Sequence, residues 1–417
     1  MPSILPLRRM SHTIKQKSSF LIQLSEMLHK YGTPAFRLES YLNMMADHLG
    51  LDGYFLVSPT TLTFCLWQKG QPDGDVYNYS MRVWPGDLDL GSLAKTDELV
   101  NDLICGKCTL EQAKEGLYAI ETSAPPYSSF VTLLAFVILG GAFSVLMRAS
   151  WHDVFWSCVF SSVAYGFVYW SGKSPRVASM LEPLATTVIA CCAIGVSQLD
   201  PGINQPLVVL SSIIVFVPGL SLTVALRELA ARHLLSGTAR LMDALMVLFK
   251  LFFGSILGSA IGVLLWGDTI AADDFHVPDW AVWPAVLLLA CGLSVVFKAR
   301  LSDSPWGIAS AVLAFSISTV VTTAWGITLG AFLGAMAVGI YANLFARWKN
   351  APAALVTLQG IVVLVPGSKV YVGLDSVVNG QQFVAIDQVG VQSFLLFMSL
   401  VAGLVFASAI VEPRKSL

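Results

Sequence analysis

The sequence predicts a mainly α-helical integral membrane protein: ten transmembrane helices in two inverted five-span repeats, preceded by a small α+β cytosolic domain. Three observations lead there. The 417 residues are 55% hydrophobic and only 12% charged, with a mean hydropathy of +0.69, well above the apolar share of soluble domains. Charge is uneven: residues 1–126 hold 25 of the 52 charged side chains (Lys+Arg 25, Asp+Glu 27), so a polar head precedes an apolar body. Finally, "SIIVFVPGLSLTVAL" (212–226) and "GIVVLVPGSKVYVGL" (360–374) are apolar runs interrupted at matching places by Pro218-Gly219 and Pro366-Gly367.

In the head, "SSFLIQLSEMLHKYG" repeats apolar residues at helical spacing and stops at Gly32, and "PAFRLESYLNMMADHLGL" follows as a second helix. "GYFLVSPTTLTFCLW" and "VYNYSMRVW" read as short strands, being aromatic and β-branched with turn residues between them. Two helical stretches, "SLAKTDELVNDLICG" and "TLEQAKEGLYAIE", complete the head; Thr109 and Gln112 form a capping-box pattern on the second, and Pro125-Pro126 closes it. His29, Arg37, Glu39, Asp47 and His48 read as a solvated helix face, and no nucleophile sits in a recognisable elbow or glycine-rich loop, so an enzyme is not expected. Four of the seven cysteines, Cys158, Cys191, Cys192 and Cys291, lie within apolar runs and read as small hydrophobes. "CGKC" (Cys105 to Cys108) has the spacing of half a zinc site but lacks a second ligand pair, so no metal or other cofactor is expected.

Ten apolar runs follow, at about 130–147, 154–170, 177–198, 203–222, 244–266, 281–297, 306–323, 326–346, 353–372 and 391–411. With the head inside, the inner loops carry Lys173 and Arg176, then Arg227, Arg232 and Arg240, then Lys298 and Arg300, then Arg347 and Lys349, and finally Arg414 and Lys415. The outer loops hold little beyond Arg148 and Lys369, and the longest, "GDTIAADDFHVPDW", is acidic. This asymmetry predicts a multi-pass protein of the cytoplasmic (inner) membrane with both termini cytosolic. The start, with Arg8, Arg9, Lys15 and Lys17, does not read as a signal peptide, and a net charge of −2 gives no reason to expect nucleic acid.

"GGAFSVLMRASWHD" (140–153) aligns with "ACGLSVVFKARLSD" (290–303), pairing Ser144 with Ser294, Arg148 with Lys298 and Asp153 with Asp303 at an offset of 150 residues; the Pro-Gly pairs align at 148. Domains are therefore expected at 1–126, 127–270 and 271–417. An odd-numbered unit re-enters the membrane from the opposite side, the inverted-repeat architecture of secondary transporters.

A helix broken inside the bilayer frees backbone amides and carbonyls, tolerable only against protein or a water-filled cavity. Two such breaks could serve a zwitterion, amides and a dipole end for its carboxylate and carbonyls for its ammonium. The candidate substrate-binding residues are Pro218, Gly219, Leu220 and Ser221, Pro366, Gly367 and Ser368, and Gln359. Lys250, Glu182, Asp153 and Asp303, ionisable groups within or at the ends of spans, are candidates for coupling to protons. Gly254, Gly258 and Gly262, and Gly326, Gly330 and Gly334, recur every four residues and read as close helix packing.

"YGTPAFRLE", "HLGL", "GKCTLEQAKEGLYAIE", "VPGLSLTVALRELAARHLLSGTARLMDAL" and "VLVPGS" together resemble the threonine/serine exporter family in its fused form, over nearly the whole chain. The resemblance implies a cytosolic head, two five-span modules, and proton-motive-force-driven export of small amino acids. Some relatives of split form are linked to succinate export, which makes a dicarboxylate the alternative substrate. A membrane-anchored hydrolase or sensor is the reading from another class. The partners expected are thus a small amino acid or carboxylate, protons, the lipid bilayer and a second copy of the chain in a homo-oligomer.

Overall fold

The computed structural model describes residues 5–71, 76–267, 276–365 and 384–413. Pro366, Gly367 and Ser368 lie outside the described residues.

In the head, α1 (Leu5–Lys30) and α2 (Ala35–His48) are joined at Gly32, whose φ of +85° suits glycine and where a Cβ would lie 2.7 Å from Leu88. The strands β1 (Leu51–Val57), β2 (Thr61–Gln68) and β3 (Tyr77–Arg82) form an antiparallel meander in which Phe64 faces Phe55 on one side and Tyr79 on the other. Phe20, Leu24, Leu28, Leu38, Leu42 and Phe64 form the core beneath the helices. α3 (Leu90–Ile104) and α4 (Leu110–Glu121) are separated by the CxxC stretch, which is a turn: Gly106, with φ of +71°, donates its amide to the Leu103 carbonyl. The expected capping box is present, Thr109 and Gln112 each accepting from the other's backbone amide.

The body comprises α5 (Ser129–Leu146), α6 (Trp151–Ser171), α7 (Pro175–Ala178), α8 (Leu181–Ser197), α9 (Gln205–Ser212), α10 (Gly219–Ala230), α11 (Leu234–Trp266), α12 (Val282–Val296), α13 (Ser304–Trp325), α14 (Ile327–Lys349), α15 (Ala354–Leu364) and α16 (Val384–Ile410). Every one of the ten apolar runs holds a helix. Among the described residues six helices are long and apolar enough to cross a membrane, and a seventh span results if α9 and α10, bent by 56°, count as one. α8 and α15 are apolar but short, and α6, rich in Ser, Tyr and Trp, is less apolar. The protein is thus a multi-pass, mostly helical membrane protein with a small three-stranded sheet.

Gly254, Gly258 and Gly262 lie on the α11 face against α8: a Cβ on Gly254 would lie 2.6 Å from the Pro183 carbonyl oxygen, and one on Gly262 2.9 Å from Ile194. The second glycine series is corrected at its first member. Gly326 packs against nothing; with φ of +93° it makes the reversal between α13 and α14, while Gly330 and Gly334 do face neighbouring helices.

Head and body share one apolar core, in which Leu28 and Leu38 join Ala299, Ala353 and Val356. Polar groups clasp the joint: the Leu90 and Gly91 amides donate to the Phe297 and Lys298 carbonyls, both at 3.0 Å, and Arg300 bridges Glu98 at 2.8 Å and Asp303 at 2.7 Å.

Candidate functional site

The break between α9 and α10 follows from its residues. Proline has no amide to donate, and Pro218 adopts φ −81° and ψ 39°, outside the helix. Gly219 turns its amide back to the Val217 carbonyl at 2.8 Å, and α10 starts with Leu222 donating to the Pro218 carbonyl at 3.0 Å. No side chain caps this start, and the Leu220 and Ser221 amides find no acceptor outside the helix among the described residues. The end of α15, which leads towards Pro366, lies alongside. Val217 and Val365 pack against the same apolar cluster as Leu222 and Phe397, and Leu220 meets Leu364 and Val365 around Leu400.

Gln359, on α15, is fully buried. Its Oε1 accepts from the Ser294 hydroxyl of α12 at 3.2 Å, while its Nε2 has no partner among the described residues. Gly307 of α13 sits where a Cβ would collide with the Gln359 amide group, so a larger residue there would require that amide to move. At the positions matched by the repeat offsets, Ser144 and Ser211 are also fully buried, and among the described residues their hydroxyls have no hydrogen-bond partner. An unsatisfied buried polar atom costs about 1–3 kcal/mol, so the matched pair Ser211 and Gln359 calls for an explanation beyond packing.

The four charged candidates divide. Lys250 and Glu182 meet, Nζ to Oε2 at 3.6 Å, joining α11 to α8. Asp153 serves as a cap: it accepts from the Ser150 amide at 2.9 Å and the Asn204 amide at 2.6 Å. Asp303 belongs to the Arg300 cluster at the head.

The solvated-face reading of the head is corrected for three of its five residues; Asp47 and His48 are exposed, but the others face the body or the interior. His29 is buried with Nε2 3.0 Å from the Pro59 carbonyl, and burial lowers its pKa. Glu39 holds the Val57 amide at 3.0 Å and His233 at 3.5 Å, and burial raises its pKa. Arg37 lines the joint between head and body. Sequence reasoning missed Glu228 altogether. Fully buried on α10, it accepts from the Ala35 amide at 2.9 Å and pairs with Arg240 at 3.3 Å. Its one signal was a lone carboxylate among the basic residues Arg227, Arg232 and Arg240.

The family described as "Putative threonine/serine exporter" matches residues 19–262, and that described as "Threonine/Serine exporter, ThrE" matches residues 284–410. A "Pheromone-regulated membrane protein 10" of Yarrowia lipolytica is 24% identical over 376 residues, 84% of this chain and 30% of the relative. Its namesake in Candida albicans is 26% identical over 372 residues, 85% of this chain and 33% of the relative. A "Threonine/serine exporter" of Corynebacterium glutamicum is 24% identical over 341 residues, 79% of this chain and 69% of the relative. The chain thus spans about a third of the length of these two yeast relatives. No solved structure matches it. With more than half of the chain matched by the first description and most of the remainder by the second, this protein belongs to the threonine/serine exporter family.

Proposed function

We propose that the protein exports threonine or serine across the cytoplasmic membrane, driven by the proton motive force, through a central site at its two Pro-Gly breaks. The observation that carries this reading is the uncapped start of α10 inside a bent apolar span, with the residues before Pro366 packed beside it. Unpaired amides and a positive dipole end suit a carboxylate, and the buried Gln359 amide of α15 has a spare donor among the described residues.

Ten spans in two inverted repeats, 127–270 and 271–417 behind a head of 1–126, are part of the same proposal. The matched corners support it. Arg148 and Lys298 both adopt left-handed backbone, φ 61° and 51°, each following a helix that ends with an amide turned back to Ser144 or Ser294. They lie at opposite ends: Lys298 holds the head, whereas Arg148 pairs with Asp279. Helix neighbours correspond as well, α8 along α11 as α14 along α16, and α6 on α9 as α13 on α15. Both termini are cytosolic in this arrangement.

The test is counterflow in proteoliposomes with labelled threonine, serine and succinate, each with and without a pH gradient, on the natural protein and on variants with Pro218-Gly219 or Pro366-Gly367 replaced by Ala-Ala. Export of threonine or serine that needs the gradient and is lost in both variants is expected. Near-natural substrate binding in folded variants would sink the broken-helix site.

A further inference from the structure

A cleft opens where the head meets the body. The head's α1–α2 turn covers it, α10 and α15 form its walls, and it runs along α10 from Arg227 to Leu220 beside the break, about 10 Å at the helical rise of ~1.5 Å per residue. Counted out to its mouth, and so including open solvent there, it encloses about 580 Å³. Leu220 and Ile361 make its inner part apolar.

Its charged residues are both cations. Arg37 of the head and Arg227 of α10 are half-buried, and they are close enough to repel one another. Among the described residues neither guanidinium has a carboxylate partner or a hydrogen bond, whereas Arg240 nearby is paired with Glu228. The contrast with their neighbours is informative, since Glu228, next in sequence to Arg227, turns to Arg240 and the Ala35 amide instead. Arg227 stacks on Phe36 at 5.0 Å, which offsets part of its desolvation but neutralises nothing. Burial brings the Arg37 guanidinium down to about 10, still charged at neutral pH. A separate observation points into the same cleft. The Thr33 hydroxyl, 5% exposed, lines it and has no hydrogen-bond partner among the described residues. The neighbouring Tyr31 phenol, pushed up to about 12 chiefly by burial, remains protonated.

Two like charges in an apolar slot are unfavourable unless an anion joins them, and paired guanidinium forks with hydroxyl donors match a planar carboxylate. We infer that this cleft binds a small carboxylate between Arg37 and Arg227, with Thr33 as a further donor, so that the head supplies half of a cytosolic-side binding site. Its identification with the exported solute rests on the exporter reading; anion binding itself does not. The carboxylate would be held one cleft-length from the free amides of α10.

The test uses the full-length protein in detergent and equilibrium binding of threonine, serine, succinate, threonine amide and inorganic phosphate. Carboxylates are expected to bind and threonine amide is not, and Arg37→Gln and Arg227→Gln should each weaken carboxylate binding at least tenfold. Folded variants with natural affinity, or an amide that binds as well as its acid, overturn the site. Phosphate binding tighter than any carboxylate overturns the ligand class. Should either variant fail to fold, phenylglyoxal labelling of the natural protein decides. Saturating carboxylate should protect Arg37 and Arg227 several-fold, and equal labelling overturns the proposal. Binding without counterflow would remove the exporter reading and leave the site standing. Counterflow with unchanged KM in both variants would do the reverse.

Discussion

Two corners of this molecule share a sequence pattern and a backbone, yet only one of them holds two domains together. At Arg148 and at Lys298 a helix ends in the same left-handed turn. The first corner meets an exposed ion pair with Asp279 and the Val277 amide, which donates to the Ala149 carbonyl at 3.0 Å. The second receives two amides of the head, and Arg300 beside it reaches both Glu98 and Asp303. The proposed inverted duplication would account for the difference, since it would present one copy of the corner to the head and the other to the far side. The pattern sets the turn, and the neighbours set what the turn does.

The largest effect should come from breaking the head joint at its buried centre. Glu228→Ala leaves Arg240 and the Ala35 amide without their acceptor, and removing one partner of a buried pair costs about 3–5 kcal/mol. The double variant Glu228→Met with Arg240→Met should be markedly milder, because no charge is stranded. Thermal unfolding of both in the same detergent checks this. Equal destabilisation by the single and double changes would show that packing rather than charge holds the joint.

Lys250→Met comes next. Its pair with Glu182 is looser, 3.6 Å with the lysine side chain 38% exposed, so about 1 kcal/mol of stability is expected to be lost. The double variant with Glu182→Gln should regain it. If the pair also carries protons, counterflow in the double variant loses its pH dependence although stability returns. Full transport with unchanged pH dependence assigns the pair to structure.

Element types were legible in the sequence because each rests on local chemistry. The Thr109 cap needs only Gln112 three residues on, the break at Pro218-Gly219 needs only proline and glycine, and the corners were found because "SVLMRA" and "SVVFKA" match. What lay hidden was partnership. Lys250 and Glu182 were each conspicuous as charges in apolar runs, but nothing 68 residues apart announces that α11 lies along α8. The head misled for a related reason. A polar stripe carrying His29, Arg37 and Glu39 has the same spacing whether it faces water or a second polar surface, and the body supplies such a surface through Glu228, His233 and Arg240.

The corners themselves give the smaller effects. Arg300→Ala removes links to Glu98 and Asp303 across the head joint, and with Arg300 only 23% exposed about 1–2 kcal/mol should be lost. The matching change on the far side should be almost silent. In the Arg148–Asp279 pair the side chains are 51% and 89% exposed, so the ion pair contributes no more than about 0.5 kcal/mol, and Arg148→Ala should cost that or less. Arg148→Gly isolates the backbone. A non-glycine residue in the left-handed region costs about 1 kcal/mol, which glycine recovers, although glycine also raises the entropy of the unfolded chain. The opposing terms nearly cancel, so the glycine variant should unfold at or slightly above the temperature of the alanine variant. Should Arg148→Gly instead prove as damaging as Arg300→Ala, the far corner bears load that its exposed contacts do not reveal, and the contrast between the two corners fails.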